Sequence, residues 1–413
     1  MLVSSLILAK SEHKLGSDMV SWQQQHCKEH LSRSQDPLTL LVNRQRAWVE
    51  IDLTALAYNV RTLKSWLTPQ TKLMAVVKAD AYGHGAVMVA QTALASGADC
   101  LAIATLAEGV ELRQAQIKAP IMILGAINAL EDMKAVAAWE LEPTICNKTQ
   151  AIAFNNVLAT LGKSLTVHLK LDTGMSRLGT NWQDAVSFVQ LVASLPQLKI
   201  QSVYSHFATA DESDRTFMDL QHQRFKQALT QLKDCGIAPP QVHLANSAAT
   251  LGDRTTHYDL VRVGLALYGL YPAPQLKQKV ALQPVLQVKA KIAQVKTIAS
   301  GEGVSYGRKF VAAKETKIAV VGIGYADGVP RNLSNNLKAI VKGQLVSQIG
   351  SITMDQLMLD VNHVTDVKPG EVVTLIGHQN NLSISADDWA HQLDTISWEI
   401  LCGFKHRLPR IFT

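Results

Sequence analysis

The stretch AVVKADAYGHGA, residues 75–86, sets a lysine directly after an apolar run, Leu73-Met74-Ala75-Val76-Val77. Bounded by Gly83 and Gly85, the run reads as a strand buried on both faces, with Lys78 at its carboxyl end. A buried ammonium must find a partner or lose its proton, and a neutral lysine amine is a nucleophile that forms Schiff bases with aldehydes. The plainer alternative is a lysine that snorkels out of a strand end. Other residues able to do chemistry follow at long intervals: Tyr82, then Lys170 leading into DTGMSRLG with Arg177, then His206, Asn246-Ser247, Arg262 and Gly264. Singly, each has a structural explanation, with Lys170 a partner for Asp172, His206 a satisfied core histidine and Arg262 a strut. If the fold brings them to one rim, a substrate site accounts for them better.

The elements that would position these residues follow an alternating pattern. Eight short apolar runs, 73–79, 100–105, 121–125, 143–146, 166–172, 202–207, 241–247 and 260–269, are separated by segments such as AVMVAQTALASGA and DLQHQRFKQALTQLKDCG. Apolar residues in those segments recur at three- and four-residue spacing and stop at glycine, as helices do. Eight βα units predict a (β/α)8 TIM barrel over residues 45–283, with chemistry at the carboxyl ends of the strands. Lys78, Lys170, His206, Ser247 and Arg262 would all then lie at or near that end. After Pro284 the segments VLQVKAKIAQVKTI, TKIAVVGIGYADG, KAIVKGQLVSQIG and EVVTLIG predict a mainly β C-terminal domain over 284–413. A late helix, SADDWAHQLDTISWEILCGF, and a terminal strand, RLPRIF, complete it.

Ser247, Gly264 and the amide of Leu265 follow strands seven and eight, where this fold places phosphates against exposed amides and a hydroxyl. A Schiff-base lysine facing a phosphate site points to pyridoxal 5'-phosphate, its aldehyde on Lys78 and its phosphate near Tyr82 and Ser247. The glycines of GEGVSYG and GIGYADG do not open a helix after a parallel strand, so a nucleotide site is not indicated.

Composition narrows the class. The chain has 413 residues, 47% hydrophobic and 18% charged, as for a globular protein with two cores. Its formal charge of +6 is spread without a basic run, so nucleic acid is not an expected partner. Cys27, Cys100, Cys146, Cys235 and Cys402 form no C-x-x-C pair, which predicts reduced thiols and a cytoplasmic location. No metal site is expected, since His26 and His30 lack accompanying ligands. Lys10 interrupts the apolar start of a leading segment, residues 1–44, read as a poorly ordered extension rather than a signal peptide, and no membrane span is expected.

AVVKADAYGHGA, HLKLDTGMSRLG, SHFATADE, ANSAA, VRVGLALYG, GEGVSYGR, GYADG and SITMDQ together resemble the alanine racemases over about residues 46–413. The resemblance implies a pyridoxal-phosphate racemase of L- and D-alanine, supplying D-alanine for peptidoglycan, in a homodimer with composite sites. It implies Lys78 as the base for D-alanine and Tyr306, from the other subunit, as the base for L-alanine. Arg177 and Met354 would bind the substrate carboxylate. Lys170 would be carbamylated, turning a repelling cation into an anion that orients Arg177. The cofactor would be held by Lys78, Tyr82, His206, Asn246, Ser247, Arg262, Gly264 and Leu265. Arg262 would face the ring nitrogen, and because arginine keeps its proton the ring would be a weaker electron sink. His206 would link Arg262 toward Tyr306, and Tyr325 would narrow the mouth.

One departure is His406 before Arg407, where many relatives have tyrosine. It implies either a phosphate contact by His406 or a roomier pocket tolerant of serine. Two other readings share part of the pattern. A barrel decarboxylase would pair the ring nitrogen with a carboxylate, which Arg262 contradicts. A non-catalytic cofactor carrier would need neither Tyr306 nor Arg177.

Overall fold

A computed structural model describes residues 46–404 and 406–413. The expectations for residues 1–44, including the extension, Cys27 and the His26/His30 pair, lie outside them. Eight parallel strands form the first unit: Lys72–Val76, Cys100–Ile103, Ile121–Ala126, Glu142–Ile145, Leu165–Asp172, Leu198–Tyr204, Gln241–His243 and Leu260–Val263. Each expected apolar run overlaps one of them. The last strand pairs with the first, as in a barrel, with Leu260 opposite Lys72 and Val263 opposite Ala75. Between the seventh and eighth strands the ring is completed by bonds from Asp259 N to Val242 O, 3.1 Å, and Arg262 N to Ala245 O, 3.0 Å. The intervening helices bury small apolar faces against the strands, for example Ala86, Val89, Ala90 and Ala93 of Ala86–Ala95.

The second unit is a nine-stranded sheet built mainly from residues after Leu286. It also contains Ala47–Ile51, which pairs antiparallel with Leu286–Ile298 and parallel with Arg410–Phe412. That strand falls within the residues expected to form the barrel, but its hydrogen bonds place it in the other sheet. An apolar run with one polar residue does not declare which sheet it will join. Two further readings need correction. The run 260–269 is strand only to Val263; Leu265–Tyr268 is a fully buried 3-10 turn ended by Gly269 in the left-handed region, φ 80°. Burial of every side chain erased the periodicity that would have separated strand from turn. The late helix is two, Ala386–Leu393 and Ser397–Gly403, divided where Asp394 takes φ 53°.

Asn59, on the helix Leu53–Trp66, joins the barrel to the segment leading into the second sheet. Its side chain donates to Leu267 O at 3.0 Å and Gln283 O at 2.7 Å, and accepts from Gln283 N at 2.8 Å. Replacing it with alanine strands buried backbone groups, so Asn59→Ala should lower unfolding stability by about 2–4 kcal/mol. Chemical denaturation checks this; a midpoint equal to the parent's would show that these bonds do not hold the junction.

Candidate active site

Lys78 does not sit on the strand itself. The chain leaves Val77 and winds left-handed, with φ of 53°, 52°, 53° and 56° at Ala79, Asp80, Ala81 and Tyr82 and 80° at Gly83. Non-glycine residues in this region each cost about 1–2 kcal/mol, so the turn must be held from outside. Glu108 accepts from Ala79 N at 2.6 Å and Asp80 from Ala86 N at 2.7 Å. The buried His84 ring bonds through Nδ1 to Ala81 O at 2.9 Å and Tyr82 O at 3.1 Å, and Arg410 Nε donates to Gly83 O at 3.0 Å. Thus fixed, Lys78 and Tyr82 both line a cavity of about 740 Å³ at the barrel mouth, within the size range of small-molecule sites. Burial, then the neighbouring Arg177, pull the Lys78 ammonium below its ordinary value, toward the nucleophilic amine.

Arg262 and Lys170 line the same cavity. Arg262 is buried; its Nη1 bonds His243 Nδ1 at 2.9 Å, and its Nη2 bonds Ser205 O at 2.8 Å, His206 Nδ1 at 3.0 Å and Leu244 O at 3.1 Å. All four bonds come from the terminal nitrogens, so Nε–H has no partner among the described residues and is a donor available to the cavity. Because arginine only donates, His206 must accept at Nδ1, and burial followed by Arg262 keeps that imidazole neutral, far below its ordinary value. Lys170 is buried with its Nζ 5.5 Å from the centre of the Tyr204 ring. Burial, then Arg262 and Arg177, push its ammonium down to about 8.

The phosphate end is built around Gly264. A Cβ there would lie 2.5 Å from the Tyr82 hydroxyl, so only glycine lets that phenol reach the turn after the eighth strand. Ser247 Oγ accepts from Gly264 N at 3.0 Å, and Asn246 Oδ1 accepts from Ala249 N at 3.1 Å, fixing the start of the short helix that carries Ser247. Tyr82, Asn246, Ser247, Gly264 and Leu265 all line the cavity with Lys78. An amine, an unpartnered arginine Nε–H and a glycine-dependent cradle of hydroxyls and amides in one cavity fit pyridoxal phosphate.

Arg177 joins this group, but Tyr306 and Met354 do not. They stand on the second unit, 73% and 52% exposed, and line no part of the cavity in their own chain. The Tyr306 backbone is nevertheless pinned: Ser351 Oγ donates to Tyr306 O and Ser305 Oγ to Ser351 O, both 2.7 Å. His406 is exposed and also outside the cavity; the late helix lines it instead with Trp398 and Cys402. Tyr325 lies outside as well. Trp398, Tyr204 and Glu108 were not singled out by the sequence. Tyr204 had a signal, since Ser202 and Tyr204 share one face of the sixth strand and His206 follows just beyond its end.

Gly264→Ala should lower affinity for pyridoxal phosphate at least about tenfold, because overpacking costs about 1–3 kcal/mol and displaces the Tyr82 hydroxyl. Equilibrium dialysis measures it; parent-like affinity would remove Gly264 from the cradle.

Comparisons with known proteins agree with this geometry. A family profile described as alanine racemase, N-terminal domain, matches residues 51–272, and one described as alanine racemase, C-terminal domain, matches 285–412. An alanine racemase of a Nostoc species is 62% identical over 369 residues, covering 89% of this chain and 96% of that protein. One from Synechocystis is 61% identical, covering 89% and 99%. Among solved structures, alanine racemase of Clostridium difficile superposes with a TM-score of 0.85 at 34% identity, covering 89% of this chain and 96% of that one. The Bacillus anthracis enzyme with bound L-Ala-P gives 0.83 at 37% identity, covering 89% and 95%. Matched across both units, the chain belongs to the alanine racemase family.

Proposed function

We propose that this protein interconverts L- and D-alanine with pyridoxal phosphate as cofactor, supplying D-alanine for peptidoglycan. The observation that carries the reading is Arg262: a buried guanidinium, where a decarboxylase would need a carboxylate, in the same cavity as a lysine amine and a phosphate cradle. When bound, the cofactor supplies an aldehyde and a conjugated ring that withdraw electron density from the substrate α-carbon.

The chain's own groups then move the proton. Racemisation removes it from one face and returns one on the other, which calls for two bases. Lys78, its amine favoured by burial, serves the face that carries the D-isomer's proton. Tyr306 serves the opposite face. Its exposure on the second unit of its own chain supports a homodimer in which a second copy presents Tyr306 and Met354 to each barrel. Arg177 holds the substrate carboxylate, assisted by the Met354 backbone. Arg262 donates without surrendering its proton, so the ring withdraws less charge and quick return of the proton is favoured. The described residues contain no helix long and apolar enough to cross a membrane. The unpaired cysteines support the cytoplasm as its compartment.

Lys170, between two guanidinium groups, supports carbamylation. Its neutral nitrogen attacks carbon dioxide, a C–N bond forms, the proton leaves to solvent, and the resulting anion offsets Arg177 and Arg262. A carbon-13 carbamate resonance should appear when the protein is equilibrated with labelled bicarbonate near pH 8, and Lys170→Ala should lack it. Identical spectra would overturn carbamylation.

Tyr306→Phe tests the two-base reading. It should keep cofactor and still exchange the α-proton of D-alanine with deuterium, while net conversion in both directions falls by about 10²- to 10⁴-fold. Near-parental racemisation, or equal loss of exchange from both isomers, would overturn the assignment. Mixed with Lys78→Ala chains, the mutant should regain activity, because one site of the mixed dimer carries both bases. No recovery despite subunit exchange would place both bases in one chain.

A further inference from the structure

Behind the Arg262 guanidinium, a line of buried polar side chains crosses the barrel interior away from the cavity. Arg262 Nη1 meets His243 Nδ1 at 2.9 Å, and His243 Nε2 meets Ser202 Oγ at 2.8 Å. Ser202 Oγ meets His168 Nδ1 at 2.7 Å, and His168 Nε2 meets Glu142 Oε2 at 2.9 Å. The five residues come from four neighbouring strands and the eighth, and Glu142 is the first residue of its strand, at the amino end of the barrel. None of the chemistry above uses Glu142, His168, Ser202 or His243.

The ends fix the direction of every bond between them. Arginine has donors only and an ionised carboxylate acceptors only. His243 must therefore accept at Nδ1 and, being neutral, carry its proton on Nε2, which donates to Ser202. The single Ser202 hydroxyl proton then points to His168 Nδ1, so His168 carries its proton on Nε2 and gives it to Glu142. The opposite direction would set an Nδ1–H of His243 against an Nη1–H of Arg262. A protonated His168 would instead leave Ser202 Oγ accepting from both imidazoles, with its own hydroxyl proton lacking a partner in the line. Tyr204 also holds the His243 ring, stacking at 4.7 Å with planes 2° apart, so the imidazole cannot rotate to escape such a clash.

We propose that Glu142 sets the polarity of this relay, and that Glu142, His168, Ser202 and His243 are positioning residues that hold the Arg262 guanidinium with its Nε–H toward the cavity. The relay also gives the buried guanidinium a hydrogen-bonded path to a carboxylate without placing an anion in the site, where it would favour a protonated ring nitrogen. Burial, then Arg262 and His168, hold the His243 imidazole well below its ordinary value, which agrees with its neutral form.

The catalytic consequence rests on the racemase reading; the proton positions do not. Nitrogen-15 spectra of the holoenzyme labelled at histidine ring nitrogens, assigned by difference from His168→Asn and His243→Asn, should show both imidazoles neutral with the proton on Nε2. A proton on Nδ1 of either ring, or a cationic His168, overturns the relay. Ser202→Ala removes one oxygen and breaks the line; it should lower kcat for alanine by about 10- to 100-fold through misplacement of Arg262, with KM and cofactor content near parental values. Glu142→Leu should behave alike, whereas Glu142→Gln keeps an acceptor and should restore most of kcat. Parental kcat in Ser202→Ala, or a Glu142→Gln loss as large as that of Glu142→Leu, overturns the positioning role. A parent that fails to racemise alanine would sink the functional reading and leave the spectra to decide the relay.

Discussion

The left-handed turn from Ala79 to Gly83 is the constraint on which the site depends, because it is locally unfavourable and yet carries two of the cavity's side chains. Three alanine or aspartate residues and a tyrosine hold positive φ in succession, a conformation that an isolated chain abandons. Here the backbone groups of the turn are claimed from several directions: by Glu108 from the helix Leu106–Gln114, by the adjoining His84, and by Arg410 from the last strand. Gly83 has no alternative, since a Cβ there would meet the Leu401 carbonyl at 2.7 Å. Strain compensated by so many fixed contacts produces rigidity. The Lys78 amine and the Tyr82 phenol are therefore set relative to each other by the turn, not by a flexible loop.

A second consequence is electrostatic. Lys78, Lys170, Arg177 and Arg262 converge on a cavity whose lining, among the described residues, includes Asp211 as its one carboxylate. Burial, then crowding by neighbouring cations, lowers the ammonium groups, to about 8 for Lys170, and burial lowers the guanidinium of Arg262 to about 10. Such a site is expensive alone and well suited to a phosphate and an α-carboxylate, whose charges relieve the crowding on binding. Burial first, and then the neighbouring Arg177, frees the Lys78 amine. Affinity for anions and nucleophilicity thus both follow from cations gathered in a buried site.

The barrel was legible in the sequence because strands buried on both faces are continuous apolar runs, and five of the eight, the first and the fifth to eighth, ended near a residue that the plain pattern could not explain. Lys78, Arg177, His206, Ser247 and Arg262 came together in the cavity as those positions implied. What the sequence did not disclose was set by tertiary contact. The handedness of ADAYG has no local signature, since alanine and aspartate ordinarily avoid it. The strand Ala47–Ile51 is assigned to its sheet by partners more than two hundred residues away. Trp398 reaches the cavity through the break at Asp394, which the helical periodicity concealed, while His406, nearby in sequence, remains on the surface.

These observations also explain why the two units cannot be separated into a catalytic barrel and an appendage. The strand that precedes the barrel lies in the second sheet between Leu286–Ile298 and Arg410–Phe412. Arg410, on that last strand, holds Gly83, and Phe412 packs where a Cβ on Gly85 would be, at 2.8 Å. The second sheet is therefore part of the clamp on the turn that aims Lys78. Its far side presents Tyr306 outward on a backbone pinned by Ser305 and Ser351. One unit then does two things: its sheet steadies the lysine of its own chain, and it holds an exposed tyrosine outward, as the proposed homodimer requires. Any displacement of that unit relative to the barrel would disturb Lys78 and Tyr306 together, which gives a physical reason for the firm junction at Asn59 and for first and last described strands that lie side by side in one sheet.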